Sequence, residues 1–182
     1  MTDLVLIKPN IDYLDTITAY KNEFAQANEH LYGGACLENY VDLAAWIAYT
    51  QAIETESGVK EERAPSSTFL CVRQLDQKMV GICNIRHHLK QDFLIHFAGH
   101  IGYSICPSER GKDYAKKQLK LALAKAYDLG ITKVLVTCDV DNIASEKTIL
   151  ANGGVYDNTY VNADDHSQTK RFWIEVNHGN KS

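Results

Sequence analysis

The chain has 182 residues, 45% of them hydrophobic and 23% charged, with a net charge of −4. That length and balance fit a single soluble domain with a sizeable core. The negative charge speaks against a nucleic-acid-binding protein, and no apolar run approaches the ~20 residues of a spanning helix, so neither nucleic acid nor membrane is expected as a partner.

The opening MTDLVLIKPN reads as no signal peptide, because its apolar run is short and an acid stands third. Leu4 to Ile7 forms a first strand, stopped by Pro9. Asp12 is placed to cap a helix from about Tyr13 to Ala27, with Leu14, Ile17, Phe24 and Ala27 on its apolar side. A loop with two glycines (NEHLYGG) leads to a second helix from about Leu37 to Glu54, marked by Leu43, Trp46, Ile47 and Ile53. Thr55 to Ser67 is polar and turn-rich, a surface connector. Thr68 to Arg73 and Met79 to His87 read as a hairpin, and FLIHFAGHIGYSIC as a third strand region pairing antiparallel with it.

The rest of the chain is organised around Ile101 to Ala126. A strand from Ile101 to Cys106 ends at Pro107, and a helix runs from about Asp113 to Leu129, where Gly130 stops it. Between them lies Glu109-Arg110-Gly111-Lys112-Asp113-Tyr114-Ala115. A helix start with unpaired N–H groups inside a basic turn suits a phosphate or pyrophosphate; an ordinary strand–helix connection accounts for it as well. Lys133 to Asp139 is a near-continuous apolar strand, expected parallel to the Ile101 strand because a helix crosses between them. Asn142 caps a helix from Ile143 to Ala151, and strands follow at Val155 to Val161 and Thr169 to Val176. The architecture is α/β: a mixed, mostly antiparallel, twisted sheet of about seven strands, flanked by about four helices, with one parallel strand pair. Five cysteines, at 36, 71, 83, 106 and 138, match no zinc or redox spacing. They read as reduced, mostly buried thiols of a cytoplasmic protein, and no metal is expected.

The element order and the stretch from Gly99 to Gly154, which opens with GHIGYS and closes with ILANGG, resemble the GNAT acetyltransferases, nearest to an uncharacterised branch of predicted acetyltransferases. The resemblance implies one GNAT-like domain over residues 1–176, with a polar tail at 177–182. It implies a splay between the parallel strands and an enzyme that moves acetyl from acetyl-CoA, its co-substrate, to a primary amine of a small molecule or peptide by direct attack. Arg110, Gly111, Lys112, Asp113, Tyr114 and Ala115 occupy the family's pyrophosphate signature, Q/R-x-x-G-x-G/A. Asp113 departs from it, standing where the family has glycine. At about 5 Å and an effective dielectric of 20, a carboxylate repels each phosphate charge by roughly 3 kcal/mol before screening, so weakened coenzyme binding is expected. By position, the Tyr103 N–H faces the thioester carbonyl, Ile105 main-chain groups hold the pantetheine arm, and Asn142 and Ser145 line it. The family's glutamate base falls on Gly99 and its tyrosine acid on Ile149, so neither carries over. His100 is the candidate base, since imidazole titrates near neutrality, and the Tyr103 hydroxyl the candidate acid. Packing roles remain open for both. Rival readings are a CoA-binding or regulatory module without turnover, and an interaction protein with no coenzyme. The amine acceptor is left open, and a homodimer is compatible with the resemblance.

Overall fold

The computed structural model describes residues 3–177. The expected polar tail, 177–182, therefore lies outside the described residues except for Asn177. In chain order the elements are β1 (Leu4–Ile7), α1 (Leu14–Ala27), α2 (Leu43–Ala52), β2 (Ser66–Arg73), β3 (Lys78–Arg86), β4 (Ile101–Ile105), α3 (Tyr114–Asp128), β5 (Lys133–Asp139), α4 (Ile143–Ala151), β6 (Val155–Val161) and β7 (Gln168–Glu175). Among the described residues no helix is long and apolar enough to cross a membrane.

The strands form two antiparallel sheets, ordered β1-β2-β3-β4 and β5-β7-β6. Side chains alternate across the first sheet, and both of its faces are covered. On one face Phe69, Cys83, Ile85 and Ile101 pack with Leu119, Leu123 and Ile149 of α3 and α4. On the other, Leu70, Val72 and Ile82 pack with Ile17, Tyr20, Phe24 and Trp46 of α1 and α2.

β4 and β5, the expected parallel pair, meet without a continuous ladder; β5 takes its ladder from β7. The two strands touch where the His100 N–H donates to the Leu135 carbonyl at 2.8 Å. The Leu135 N–H in turn donates to His100 Nδ1 at 2.9 Å. An imidazole thus replaces a main-chain acceptor at the point where the strands part. Gly99 has φ +66, and a Cβ there would stand 2.6 Å from the Leu135 carbonyl oxygen. Only glycine fits this corner.

Three expectations change. Residues Leu94–Ala98 form a π-helical turn ended by Gly99 rather than the start of a strand. Its carbonyls are held from outside: Thr137 Oγ1 donates to the Phe97 oxygen at 2.7 Å and Arg171 Nε to the Ile95 oxygen at 2.9 Å. His96, in this turn, stacks on Tyr160 with ring centroids 4.2 Å apart. The second helix starts late, because Asp42 caps it by accepting from the N–H groups of Ala44 and Ala45; Leu37–Asn39 is a separate 3-10 turn. Asn10, not Asp12, caps the approach to α1, which is itself a 3-10 turn at Ile11–Tyr13.

Candidate active site

The register of β4 decides which of its main-chain groups are free. In an antiparallel pair, residues alternate between exchanging hydrogen bonds with the partner and pointing away from it. The Cys106 N–H donates to the Val80 carbonyl at 2.9 Å, and the register pairs Cys83 with Tyr103. The even-numbered residues of β4 therefore bond β3. Ile101, Tyr103 and Ile105 turn their N–H and C=O groups toward the splay. Arg110 confirms this parity, since its Nε donates to the Ile105 carbonyl at 3.3 Å.

Beyond β4, Pro107–Glu109 makes a 3-10 turn that buries a carboxylate. Glu109 is only 4% exposed. It accepts from Arg73 Nη1, Lys78 Nζ and Lys112 Nζ, each at 2.8 Å. Burial alone would raise its pKa; the hydrogen bonds from Lys112, Lys78 and Arg73 outweigh that and hold it at about 2. Arg73 also donates to the Tyr114 hydroxyl at 3.1 Å, fastening the start of α3 to the sheet. Arg110 forms a two-pronged pair with Glu29 of the segment after α1, at 3.1 and 2.6 Å.

The α3 start is open. Its N-cap residue, Asp113, has φ +65 and makes no side-chain cap. Gly111 has φ +75, and a Cβ there would meet nothing within 4 Å. The first-turn N–H groups, which no helix can satisfy internally, thus have no side-chain cap from Asp113. Asp113 holds the left-handed backbone that glycine adopts freely and aspartate tolerates better than most residues.

Two cavities meet at the splay. One, of about 610 Å³, runs from Arg110, Gly111 and Ala115 past Ile105 to Ser145 and Thr148. The other, of about 410 Å³, lies among Arg86, Phe97, Gly102, Thr137, Asp139 and Asp165. Tyr32, Tyr103, Asn142 and Ser145 border both. The Tyr103 and Ser145 hydroxyls hydrogen-bond at 2.8 Å, bridging β4 to α4. Burial pushes the Tyr103 phenol up to about 12, against the lowering effect of Ser145. Asn142 accepts from the Ser145 N–H at 3.0 Å, capping α4 as expected. Gly33 carries the roof over β4: at φ +73, a Cβ would stand 2.4 Å from the Gly102 oxygen.

Residues 3–155 match the family described as the acetyltransferase (GNAT) domain. The chain belongs to the GNAT acetyltransferase family. No curated protein sequence matches it. Among solved structures it resembles RimL, a ribosomal L7/L12 alpha-N-protein acetyltransferase in complex with coenzyme A, with 14% identity, TM-score 0.68, and 97% and 96% of the two chains covered. It also resembles the spermidine/spermine N-acetyltransferase SpeG from Vibrio cholerae, with 16% identity, TM-score 0.66, and 96% and 95% covered. A third is the microcin C7 self-immunity acetyltransferase MccE in complex with acetyl-CoA and AMP, with 16% identity, TM-score 0.64, and 97% and 94% covered. At these identities the likeness concerns the fold.

In this GNAT domain, Tyr103, Ile105, Arg110, Gly111, Asp113, Tyr114, Ala115, Asn142 and Ser145 all border the larger cavity. Lys112 does not border it; its Nζ is paired with Glu109, which does. His100 borders neither cavity and is 8% exposed. Burial, then the charge of Arg86, lowers its pKa to about 4, and its Nδ1 already accepts from Leu135. That imidazole is neutral and committed to the strand junction, an unsuitable position for taking an ammonium proton. The family's glutamate position, Gly99, has no room for a side chain. Ile149, at the family's tyrosine position, is fully buried in the core. Among the described residues no group of three His, Cys, Asp or Glu is placed to hold a metal. Sequence reasoning did not single out Glu29, Tyr32, Arg86 or the hub role of Glu109. The only local signal was the mixed charge of the turn.

Proposed function

We propose that this GNAT domain transfers acetyl from acetyl-CoA to a primary amine. The observation that carries the reading is the continuity between an uncapped helix start and a splay lined by main-chain groups of β4 that do not bond β3. Coenzyme fits on structural grounds: the space beside Gly111 is clear, and the α3 N–H groups there lack caps. The structural neighbours in complex with coenzyme A and with acetyl-CoA support the same choice. What bound acetyl-CoA supplies is an acetyl thioester, open to direct attack by an amine.

The residues of the chain divide the remaining work. The α3 start and Arg110 hold the diphosphate, Arg110 exchanging Glu29 for it. Main-chain groups of Ile105, with Asn142 and Ser145, flank the pantetheine arm. The Tyr103 N–H, turned to the splay, donates where negative charge develops on the carbonyl oxygen. The Tyr103 phenol, held near 12, keeps its proton at neutral pH and is poised to offer it to the departing thiolate. One ammonium proton leaves to water in the smaller cavity before attack; the second, shed by the nitrogen as the amide forms, replaces the one that the Tyr103 phenol gave to the thiolate, so the phenol is restored. His100 serves as a spacer for the strand splay.

One observation favours a module without turnover: Gly99 has no room for a side chain and the apolar Ile149 is fully buried, so neither position supplies a base or an acid, while Asp113 stands at the diphosphate site. Calorimetric titration with acetyl-CoA, followed by thiol release across a panel of amines, separates the readings. Saturable binding with thiol release supports the enzyme. Binding without release supports the module. No binding at millimolar coenzyme in low salt overturns both.

A further inference from the structure

Arg86 ends β3 on the floor of the smaller cavity. Its main-chain N–H donates to the His100 carbonyl at 2.7 Å, and its Nη1 donates to the Gly99 carbonyl at 3.2 Å. A guanidinium offers five N–H donors, so one neutral acceptor leaves most of its capacity unused. Arg73 and Arg171, also withdrawn from water, each hold a carboxylate at 2.7–2.8 Å. Arg86 has no carboxylate within salt-bridge distance among the described residues. Burial accordingly pulls its pKa below the ordinary arginine value with no anion to offset it. A half-buried cation is kept without a protein counter-charge only at a cost, which an anionic ligand would relieve.

The position is specific. Arg86 Nη1 lies 3.9 Å from where a Cβ on Gly102 would stand, and Gly102 immediately precedes Tyr103. The guanidinium thus sits against the residue of β4 next to the one whose N–H faces the splay, and Arg86 and Tyr103 border the same cavity. Asp139, at the end of β5, and Asp165, in the β6–β7 turn, line the same cavity and are exposed. The cavity thus carries a cation in its floor and carboxylates toward water. Phe93 and Phe97 add an apolar wall, their rings 5.8 Å apart.

We propose that the acceptor is a short amine that also bears a carboxylate, an amino acid with an apolar side chain, and that Arg86 binds that carboxylate. This rests on the acetyl transfer proposed above. A polyamine would bring a second cation against Arg86, and a peptide N-terminus brings no carboxylate at the required distance. The probes are L-phenylalanine and L-leucine, each paired with its decarboxylated amine, plus spermidine and a neutral-capped peptide. Each is titrated into protein saturated with coenzyme A and then assayed by thiol release from acetyl-CoA. The expected result is an acid-over-amine preference of roughly 10- to 100-fold in affinity and kcat/KM, the range for a charge-assisted hydrogen-bonded pair. Arg86→Gln should bring that ratio near one with the coenzyme Kd unchanged. Arg86→Lys, which keeps charge without the fork, should fall between and guards against a folding defect. Preference for the amine, spermidine or the peptide, or a ratio unmoved in both variants, overturns the assignment. Coenzyme binding with acid selectivity at equilibrium but no thiol release would sink the catalytic reading and leave the Arg86 site standing.

Discussion

Replacing Glu109 with glutamine removes one buried negative charge from among three cations. The drop of its pKa from an ordinary 4.5 to about 2 corresponds to about 3 kcal/mol at 1.36 kcal/mol per pH unit. The sign follows from the direction: a depressed carboxyl pKa stabilises the fold above 4.5, and that stabilisation is lost as pH falls toward 2. Glu109→Gln should therefore unfold about 3 kcal/mol more easily at pH 7, which for a chain of this size is a fall in Tm of roughly 6–12 °C. At pH 3 the linkage relation leaves about half of the difference, roughly 1.4 kcal/mol. Urea unfolding of both proteins at pH 7, 5 and 3 reads this directly. A difference below about 1 kcal/mol at pH 7 would show that the three cations are satisfied by water or by other acceptors instead. A difference that stays constant down to pH 3 would assign the loss to packing, not charge. The same variant should weaken coenzyme binding, since Glu109 fixes Lys112 and, through Arg73, the Tyr114 hydroxyl at the start of α3.

The other predictions concern the site directly. Asp113→Gly and Asp113→Asn should both tighten coenzyme A, by roughly five- to tenfold at low salt and less at 0.5 M, once the ~3 kcal/mol repulsion is screened; calorimetry showing equal Kd for all three proteins would refute the repulsion. If only the glycine variant gains, the backbone at φ +65 is responsible. Tyr103→Phe should lower kcat about 100-fold with little change in the KM for acetyl-CoA, and an unchanged kcat assigns the phenol to packing. His100→Ala should leave turnover per folded molecule intact while costing about 1–3 kcal/mol of stability, because the Leu135 N–H loses its acceptor. With its pKa lowered from 6.5 to about 4, His100 makes the wild type lose stability as pH falls from 6.5 to 4, and that part of the pH dependence should flatten in the alanine variant.

Much of the fold was legible because its signals are local. Lys133–Asp139 and Val155–Val161 are apolar or β-branched runs with turns on both sides, and the structure ends them at those residues. Asn142 caps where its side chain predicts, and Gly130 takes the left-handed backbone of a helix stop at φ +84. The segment Phe93-Leu94-Ile95-His96-Phe97-Ala98 was not legible, since a short apolar run fits strand and helix alike. Contacts from Thr137 and Arg171, some 40 and 76 residues away, decide it. The site divides the same way. The signature loop is contiguous and could be read; the Arg110–Glu29 and Arg73–Glu109 pairs join residues 81 and 36 apart. His100 shows the limit most clearly, because nothing near it in the chain reveals that Leu135 holds its Nδ1.

The cations of the signature loop are not equivalent, although their residue types suggest otherwise. The Arg110–Glu29 pair lies on the surface, its side chains 46% and 42% exposed. Pairs of that kind contribute at most about 1 kcal/mol, so a diphosphate can displace Glu29 at small cost. Lys112 is paired with a carboxylate only 5% exposed, which two further cations share. Detaching Lys112 would disturb a buried network, so it stays with Glu109 and stiffens the turn. Arg110 is then the exchangeable cation, already anchored by Nε to the Ile105 carbonyl. On the proposed reading, with Asp113 added, the loop's side chains contribute little net attraction, and the main-chain N–H groups of α3 would hold most of the diphosphate. The proposal thereby accommodates a net charge of −4 and an acid at the glycine position, because it asks main-chain donors rather than side-chain charge to hold the coenzyme.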